Sequence, residues 1–209
     1  MPHPQTTRRH DLLTWLILAG LALAVFIYVA FFMPRAAGGP IGRQHPSVGK
    51  LLGDLTLEPL TGAASQITNP DLAGKVVLLD YWGPRCPPCK RELPELVAVA
   101  EQFKNRPDFL FLPVSCPIGD SDEELDHLQG DTEAFLSHIR ATPPTYQLSE
   151  ASLKLMESPA VGEMYQFALP TTVVIDRQGI IRGKWQGYRD GYERQIADLL
   201  AELLGNEKP

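Results

Sequence analysis

The stretch Tyr81–Pro94, YWGPRCPPCKRELP, holds two of the chain's three cysteines, with two prolines between them. The continuous apolar run KVVLLDYW (75–82) leads into it, and such a run predicts a strand buried on both faces. After it, apolar residues recur at helical spacing from Leu93 to Phe103. Cys86 and Cys89 are therefore predicted to lie where a buried strand gives way to a helix.

Further elements follow from the patterns on either side of this stretch. FLFLPVSC (109–116) predicts a second buried strand, and LPTTVVID (169–176) with IIRGKW (180–185) predicts a hairpin. LTLEPLTGAASQIT (55–68) predicts a short hairpin earlier in the chain, and the chain closes with an amphipathic helix capped by Gly205. This order of elements predicts an α/β fold with a mixed sheet flanked by helices.

The N-terminal region predicts a membrane anchor. Leu12–Met33 carries no charge, and at about 1.5 Å per residue a helix of this length crosses a hydrocarbon core of about 30 Å. The apolar region of a cleaved signal peptide is shorter, about 7–15 residues. Arg8 and Arg9 precede the span and favour a cytoplasmic N-terminus. The predicted domains are a cytoplasmic segment (1–11), an anchor (12–33), a Gly- and Pro-rich linker (34–50) and a folded domain (51–205).

Charge and cysteine content exclude several classes of protein. The net charge is −6 and there is no basic run, which is a poor composition for binding nucleic acid. Three cysteines are too few for a disulfide framework. A single CxxC in a domain predicted to lie outside the cytoplasm points to redox chemistry.

Other uses of the cysteine pair fit less well. A structural zinc site needs about four ligands, and the remaining cysteine, Cys116, stands alone. Covalent haem attachment requires a histidine directly after the second cysteine, where this chain has Lys90. A passive disulfide between Cys86 and Cys89 would close a loop of only two residues and remove little entropy from the unfolded chain.

Thiol–disulfide exchange agrees with the local physics. Cys86 would face the unpaired N–H groups and the positive dipole end of the following helix, and Arg85 and Lys90 add positive charge. These effects favour the thiolate, which is the nucleophile in exchange. Cys89, one turn further along, would be more buried and placed to attack a mixed disulfide formed at Cys86.

These residues carry a resemblance. VVLLDYWGPRCPPCKRELPEL, followed downstream by ALPTTVVIDRQGII, resembles the membrane-anchored thioredoxin-like proteins of the TlpA/ResA type, over roughly Val48 to Leu204. The resemblance implies a thioredoxin-like fold, with extra elements inserted in 117–168. It also implies a cis-proline at Pro170 that faces the active site, with the backbone of Leu169 pairing with a bound substrate strand.

The resemblance implies roles for residues around the cysteines. Asp80 matches the buried acid of thioredoxins that handles the proton of the second cysteine, although many members of this branch have Asn there. Glu92 matches a glutamate that tunes the cysteine pKa values, and Trp82 matches the tryptophan beneath the motif. Arg85 stands where the family often has tryptophan, so the rim should be more basic than usual. Both acids also have an interpretation without a catalytic role: Asp80 as an ordinary acid at a strand end, and Glu92 as an ordinary acid in the first turn of a helix.

The sequence thus predicts an anchored protein-disulfide oxidoreductase in a bacterial inner or cell membrane, with its domain facing the periplasm or the outer surface. We expect a reductase of protein disulfides that needs no cofactor or metal and receives electrons from an integral-membrane carrier. The resemblance adds cytochrome c maturation as a task. The alternatives are an oxidase of folding proteins, a copper-assembly protein, which would need wider cysteine spacing and a ligand histidine, and a peroxiredoxin-like peroxidase. A peroxidase would need Thr or Ser where this chain has Gly83.

The sequence also yields a hypothesis about proton transfer. Asp80 ends a strand that reads as buried, and burial raises the pKa of a carboxyl group. A carboxyl group that titrates near working pH can accept the proton of Cys89 as its sulfur attacks the mixed disulfide. Cys116 is expected to fill a buried strand end and to take no part in the chemistry.

Overall fold

The computed structural model describes residues 14–24, 41–117, 122–149 and 169–205. The chain divides into two compact units, Met1–Gly39 and Pro40–Pro209. In the first, residues 14–24 are helical and their side chains are exposed. Within the described ranges, no helix combines the length and apolar character needed to cross a membrane. The remainder of the predicted anchor and the predicted cytoplasmic segment 1–11 lie outside the described residues.

The second unit is built around one sheet. Its strands are β1 (Thr56–Thr61), β2 (Ile67–Thr68), β3 (Val76–Trp82), β4 (Phe109–Ser115), β5 (Thr145–Leu148), β6 (Thr171–Ile175) and β7 (Ile181–Gln186). Its helices are α1 (Asn69–Leu72), α2 (Pro87–Glu101), α3 (Asp122–His138) and α4 (Tyr192–Leu204). The strands and helices predicted from the apolar patterns are present, and of the segment 117–168, where the resemblance implied extra elements, residues 118–121 and 150–168 lie outside the described residues.

The sheet has seven strands in the order β2-β1-β5-β4-β3-β6-β7. β3 pairs with β4 in parallel and with β6 in antiparallel orientation, so the sheet is mixed, as predicted. All seven residues of β3 are buried, which explains why its sequence is apolar apart from Asp80. The chain leaves this central strand directly into the cysteine motif at the start of α2.

The two faces of β3 contribute to different cores. Val77, Leu79 and Tyr81 pack with apolar residues of the neighbouring strands and with Leu72 of α1. The alternate residues Val76 and Leu78 pack against α2 and α4. Because side chains alternate along a strand, Asp80 belongs to the face covered by α2, and so does Trp82.

The second half of the predicted linker is attached to the sheet. Gly42 exchanges two backbone hydrogen bonds with Lys184, and the N–H of Gly49 donates to the carbonyl of Ile181. Residues 41–52 therefore follow the outer edge of β7 and include part of the segment 34–50 that was predicted as a linker. The Gly and Pro content of this segment indicated irregular backbone, but it did not reveal that the backbone has an edge strand to pair with.

Candidate active site

Cys86 and Cys89 form a disulfide, with 5.2 Å between their Cα atoms. Cys86 is the N-cap of α2, and its Sγ accepts a hydrogen bond from the N–H of Cys89 at 3.3 Å. Pro87 and Pro88 occupy the first turn, where the missing N–H costs the helix nothing. The sulfur of Cys86 thus lies at the positive end of the helix dipole, a position that stabilises a thiolate.

The two sulfurs differ in access. Cys86 is 5% exposed and Cys89 is fully buried. They pack in one cluster with Trp82 beneath them, and the partly buried Leu169 packs against the same cluster. The Leu169–Pro170 peptide bond is cis, as the resemblance implied. Trp82, Leu169 and Pro170, predicted from the sequence to surround the cysteines, are thus brought together at the end of β3.

The rim of the site combines charge with an aromatic ring. Arg85 is half-exposed and its Nε lies 2.8 Å from a carboxylate oxygen of Asp131 on α3. The Nζ of Lys90 lies 5.7 Å from the centre of the Phe135 ring, within cation–π range. A cavity of about 570 Å³ opens between the cysteine motif and α3, and His138 also lines it. The predicted basic rim is present, but Asp131 partly neutralises it, and the sequence did not reveal that α3 forms its other wall.

Two carboxyl groups are buried together behind the cysteines. Asp80 is 1% exposed and Glu92 is 3% exposed. The hydroxyl of Thr172 lies 3.3 Å from an oxygen of each. Burial, followed by the neighbouring Glu92, raises the pKa of Asp80 well above its ordinary value. Burial likewise raises the pKa of Glu92, to about 7.

Strand register and helix spacing bring these groups together. Asp80 on β3 lies directly opposite Thr172 on β6. Glu92 lies three residues after Cys89 on α2, and residues at that spacing are neighbours on one helix face. Thr172 was not predicted as a site residue, because its contact with Asp80 spans 92 residues of chain. Its place in the PTT stretch directly after Leu169 was the only local signal.

Cys116 lies outside the reactive pair. It is buried and belongs to no disulfide. Burial, together with the nearby Asp80, raises the pKa of its thiol to about 12, so it stays protonated at neutral pH. Its packing with the strand core agrees with a space-filling role.

Comparisons with known proteins place the chain in a family. The AhpC/TSA family model matches residues 48–184. The thiol:disulfide interchange protein DsbE of Pseudomonas aeruginosa is 30% identical over 187 residues, which cover 88% of this chain and 93% of that protein. The thiol-disulfide oxidoreductase ResA of Geobacillus thermodenitrificans is 28% identical over 170 residues, which cover 80% of each chain.

Solved structures support the fold. The thioredoxin domain of a thiol-disulfide oxidoreductase from Bacteroides vulgatus matches 75% of this chain and 99% of its own length, with a TM-score of 0.54 and 21% identity. A thiol:disulfide interchange protein from a Bacteroides species matches 77% of this chain and 92% of its own length, with a TM-score of 0.55 and 22% identity. The chain belongs to the AhpC/TSA family and is a thiol–disulfide oxidoreductase of the DsbE/ResA type with a thioredoxin-like fold.

Proposed function

We propose that this oxidoreductase is a membrane-anchored reductase of protein disulfides that works outside the cytoplasm. The observation that carries the proposal is the asymmetry of the cysteine pair. The Cys86 sulfur caps a helix N-terminus, whereas Cys89 is fully buried one turn inside, on the same helix as Glu92. The sulfur of Cys86 is thus suited to attack a substrate disulfide. The sulfur of Cys89 is suited to resolve the mixed disulfide with help from a buried acid.

The proposed cycle starts from the dithiol. The Cys86 thiolate attacks one sulfur of a substrate disulfide, and the other substrate sulfur leaves as a thiolate. Cys89 then gives up its proton and attacks Cys86, which breaks the mixed disulfide and releases the second substrate sulfur. The substrate gains two electrons, and the chain is left with the Cys86–Cys89 disulfide. A membrane protein that donates electrons must restore the dithiol, and no cofactor in this chain is needed.

The surrounding residues have proposed roles in this cycle. Asp80 and Glu92 form the buried acid group that handles the proton of Cys89. Leu169 and Pro170 offer backbone to an extended substrate segment beside the sulfurs. Trp82 supports the motif from beneath, and Arg85 contacts substrate at the rim. The cavity lined by Arg85, Lys90 and Phe135 adjoins the motif and is suited to apolar or acidic side chains next to a substrate cysteine.

The direction of electron flow is tested by the reduction potential of the Cys86–Cys89 couple in the full-length protein. We expect a value near that of thioredoxin, about −270 mV, which favours reduction of substrates. A value near that of the oxidant DsbA, about −120 mV, would instead make the protein an oxidase of folding proteins. Turnover of a model disulfide substrate with a chemical reductant should accompany the lower potential.

The proposed layout keeps residues 1–11 in the cytoplasm, 12–33 as a single-pass anchor in the inner or cell membrane, 34–50 as the connection and 51–205 as the catalytic domain. It rests on the uncharged stretch and on the two arginines before it. A reporter enzyme that works only after export, fused after Pro209, should be active. Activity only from a cytoplasmic reporter would overturn the layout. Cytochrome c maturation is the proposed setting, and a deletion strain should then lose covalently bound haem.

A further inference from the structure

One hydroxyl group lies between the two buried carboxyl groups. The Oγ1 atom of Thr172 is 3.3 Å from Oδ1 of Asp80 and 3.3 Å from Oε1 of Glu92. Thr172 is fully buried, and among the described residues the second oxygens, Oδ2 of Asp80 and Oε2 of Glu92, have no hydrogen-bond partner. The hydrogen bonds of these three side chains therefore have to be made with one another.

Proton counting limits the states of this group. A hydroxyl has one hydrogen, so Thr172 can donate to one of the two acids only. Its other contact becomes a hydrogen bond only if the second acid is protonated and donates to the Thr172 oxygen. Two carboxylates around one hydroxyl would leave two like charges buried together, which is strongly unfavourable. The geometry thus requires at least one proton on the pair.

The surroundings decide which acid keeps that proton. Asp80 lies in the middle of the sheet, between β4 and β6, whereas Glu92 lies on α2 one turn after Cys89. Residues three apart on a helix have Cβ atoms about 5–6 Å apart, so Glu92 is within reach of the Cys89 sulfur. Burial, followed by the neighbouring Glu92, raises the pKa of Asp80 well above its ordinary value, and burial raises the pKa of Glu92 to about 7.

We propose that Thr172 is a positioning residue that sets the direction of this hydrogen-bond chain: protonated Asp80 donates to Thr172, and Thr172 donates to the Glu92 carboxylate. Glu92 is then the acid–base group for Cys89, and Asp80 is a neutral hydrogen-bond donor. This gives Glu92 the role that the sequence assigned to Asp80. The inference rests on the proposed reductase function and adds to it the direction of proton transfer.

The proton balance of the resolving step follows. The Cys89 thiol transfers its proton to the Glu92 carboxylate while its sulfur forms the bond to Cys86. The bond between Cys86 and the substrate breaks, and the substrate leaves as a thiolate that takes a proton from water. The pair then holds two protons, and Glu92 later releases one to solvent. Asp80 keeps its proton throughout.

The test compares Thr172→Val, which removes the hydroxyl, with Thr172→Ser, which keeps it. Single-turnover stopped flow on the full-length protein, from pH 6 to pH 9, separates attack by Cys86 from release by Cys89. The Thr172 hydroxyl stabilises the Glu92 carboxylate, so its loss raises the Glu92 pKa. Thr172→Val should therefore slow release about tenfold or more at pH 7 and move its acid limb to higher pH. Attack should be unchanged, and Thr172→Ser should behave as wild type.

A second pair of variants tests the role of Asp80. Asparagine can donate to Thr172 as a protonated acid does, so Asp80→Asn should slow release much less than Asp80→Leu does. Leucine cannot donate, so Asp80→Leu should behave as Thr172→Val does. Equal loss in both Asp80 variants would make Asp80 itself the base and overturn the proposed direction.

An equilibrium readout separates this proposal from the proposed function. Carboxyl-carbon NMR of the oxidised protein follows the titration of Glu92 whether or not the protein reduces substrates. We expect a higher midpoint in Thr172→Val, or in Thr172→Ala if the valine variant folds poorly, and a wild-type midpoint in Thr172→Ser. An unchanged midpoint in the valine or alanine variant, or the same shift in the serine variant, would refute the role of the hydroxyl. Absence of disulfide reduction with the expected midpoints would refute the reductase function alone.

Discussion

Two carboxyl clusters at opposite ends of the central strands differ in what surrounds them. Asp108 directly precedes β4. Each of its carboxylate oxygens lies 3.0 Å from a nitrogen of Arg106, and Oδ2 also lies 2.6 Å from a nitrogen of Arg177. Asp80, near the other end of the paired strands, has Thr172 as its hydrogen-bond partner and Glu92 as its charged neighbour within the part of the chain that the structure describes. One cluster balances its charge with arginines, and the causes that shift the pKa values of the other cluster include no cation among the described residues.

The surroundings push the two acids in opposite directions. Hydrogen bonds from Arg106 and then Arg177 hold the pKa of Asp108 well below its ordinary value. The same arginines donate to the carbonyls of Leu204 and Leu203 and so bind the end of α4 to the sheet. A cluster of this kind stabilises the fold. The burial of Asp80 and Glu92 behind the cysteines lowers the stability of the fold. Buried groups with shifted pKa values of this kind are typical of functional sites.

The largest effects should come from the cysteines that the buried carboxyl pair serves. Cys86→Ser should abolish attack on disulfides, because serine is not ionised at neutral pH. Cys89→Ser should accumulate a covalent mixed disulfide with substrate, visible on non-reducing gels and by mass spectrometry. Cys116→Ser is the matched control and should keep turnover nearly intact. An essential Cys116 with a dispensable Cys89 would show that the carboxyl pair does not serve the reactive cysteines.

Glu92→Gln should stabilise the protein at high pH. The raised pKa of Glu92 means that the folded state binds more protons than the unfolded state between about pH 4.5 and pH 7. Stability therefore falls as pH rises through that window. Glutamine does not ionise, so the variant does not lose this stability. Its free energy of unfolding in urea should exceed that of wild type by about 1–3 kcal/mol at pH 8, and the two should be similar at pH 4. A variant less stable than wild type at pH 8 would contradict the cost assigned to this cluster.

Asp108→Asn should have a smaller effect of the opposite sign. A lowered pKa means that the contribution of Asp108 is present above the unfolded value of about 4 and is lost as pH falls through the folded value. Because these side chains are partly exposed, we expect the variant to lose only about 1 kcal/mol at pH 7. The difference from wild type should shrink in acid. A difference that grows in acid would remove the contrast between the two clusters.

Much of this structure follows from local sequence. The strands β3, β4 and β6 were predicted because strands buried on both faces have continuous apolar runs. The N-cap position of Cys86 was predicted because a strand passes directly into a periodic helix at the CPPC. The buried acid at Asp80 followed from its position inside such a run.

The contacts that complete the site could not be predicted in the same way. Thr172 meets both acids only because β6 pairs with β3 in one register and α2 packs on that face. Asp131 reaches Arg85 across 46 residues of chain, through a helix whose sequence is mainly polar. The edge pairing of residues 41–52 depends on the position of β7 as the last strand of the sheet. Each of these contacts depends on tertiary packing that no local pattern specifies.

In the proposed mechanism, the carboxyl pair of Asp80 and Glu92 handles the proton of Cys89. Its most direct test is the rate of release from the mixed disulfide in Glu92→Gln, measured by stopped flow from pH 6 to pH 9 alongside the rate of attack. We predict that release at pH 7 slows about 100-fold and loses the acid limb near pH 7, because glutamine cannot accept a proton, while attack by Cys86 is unchanged. Wild-type rates and pH profiles for both steps would show that the proton of Cys89 takes another route and that the carboxyl pair is not the acid–base group.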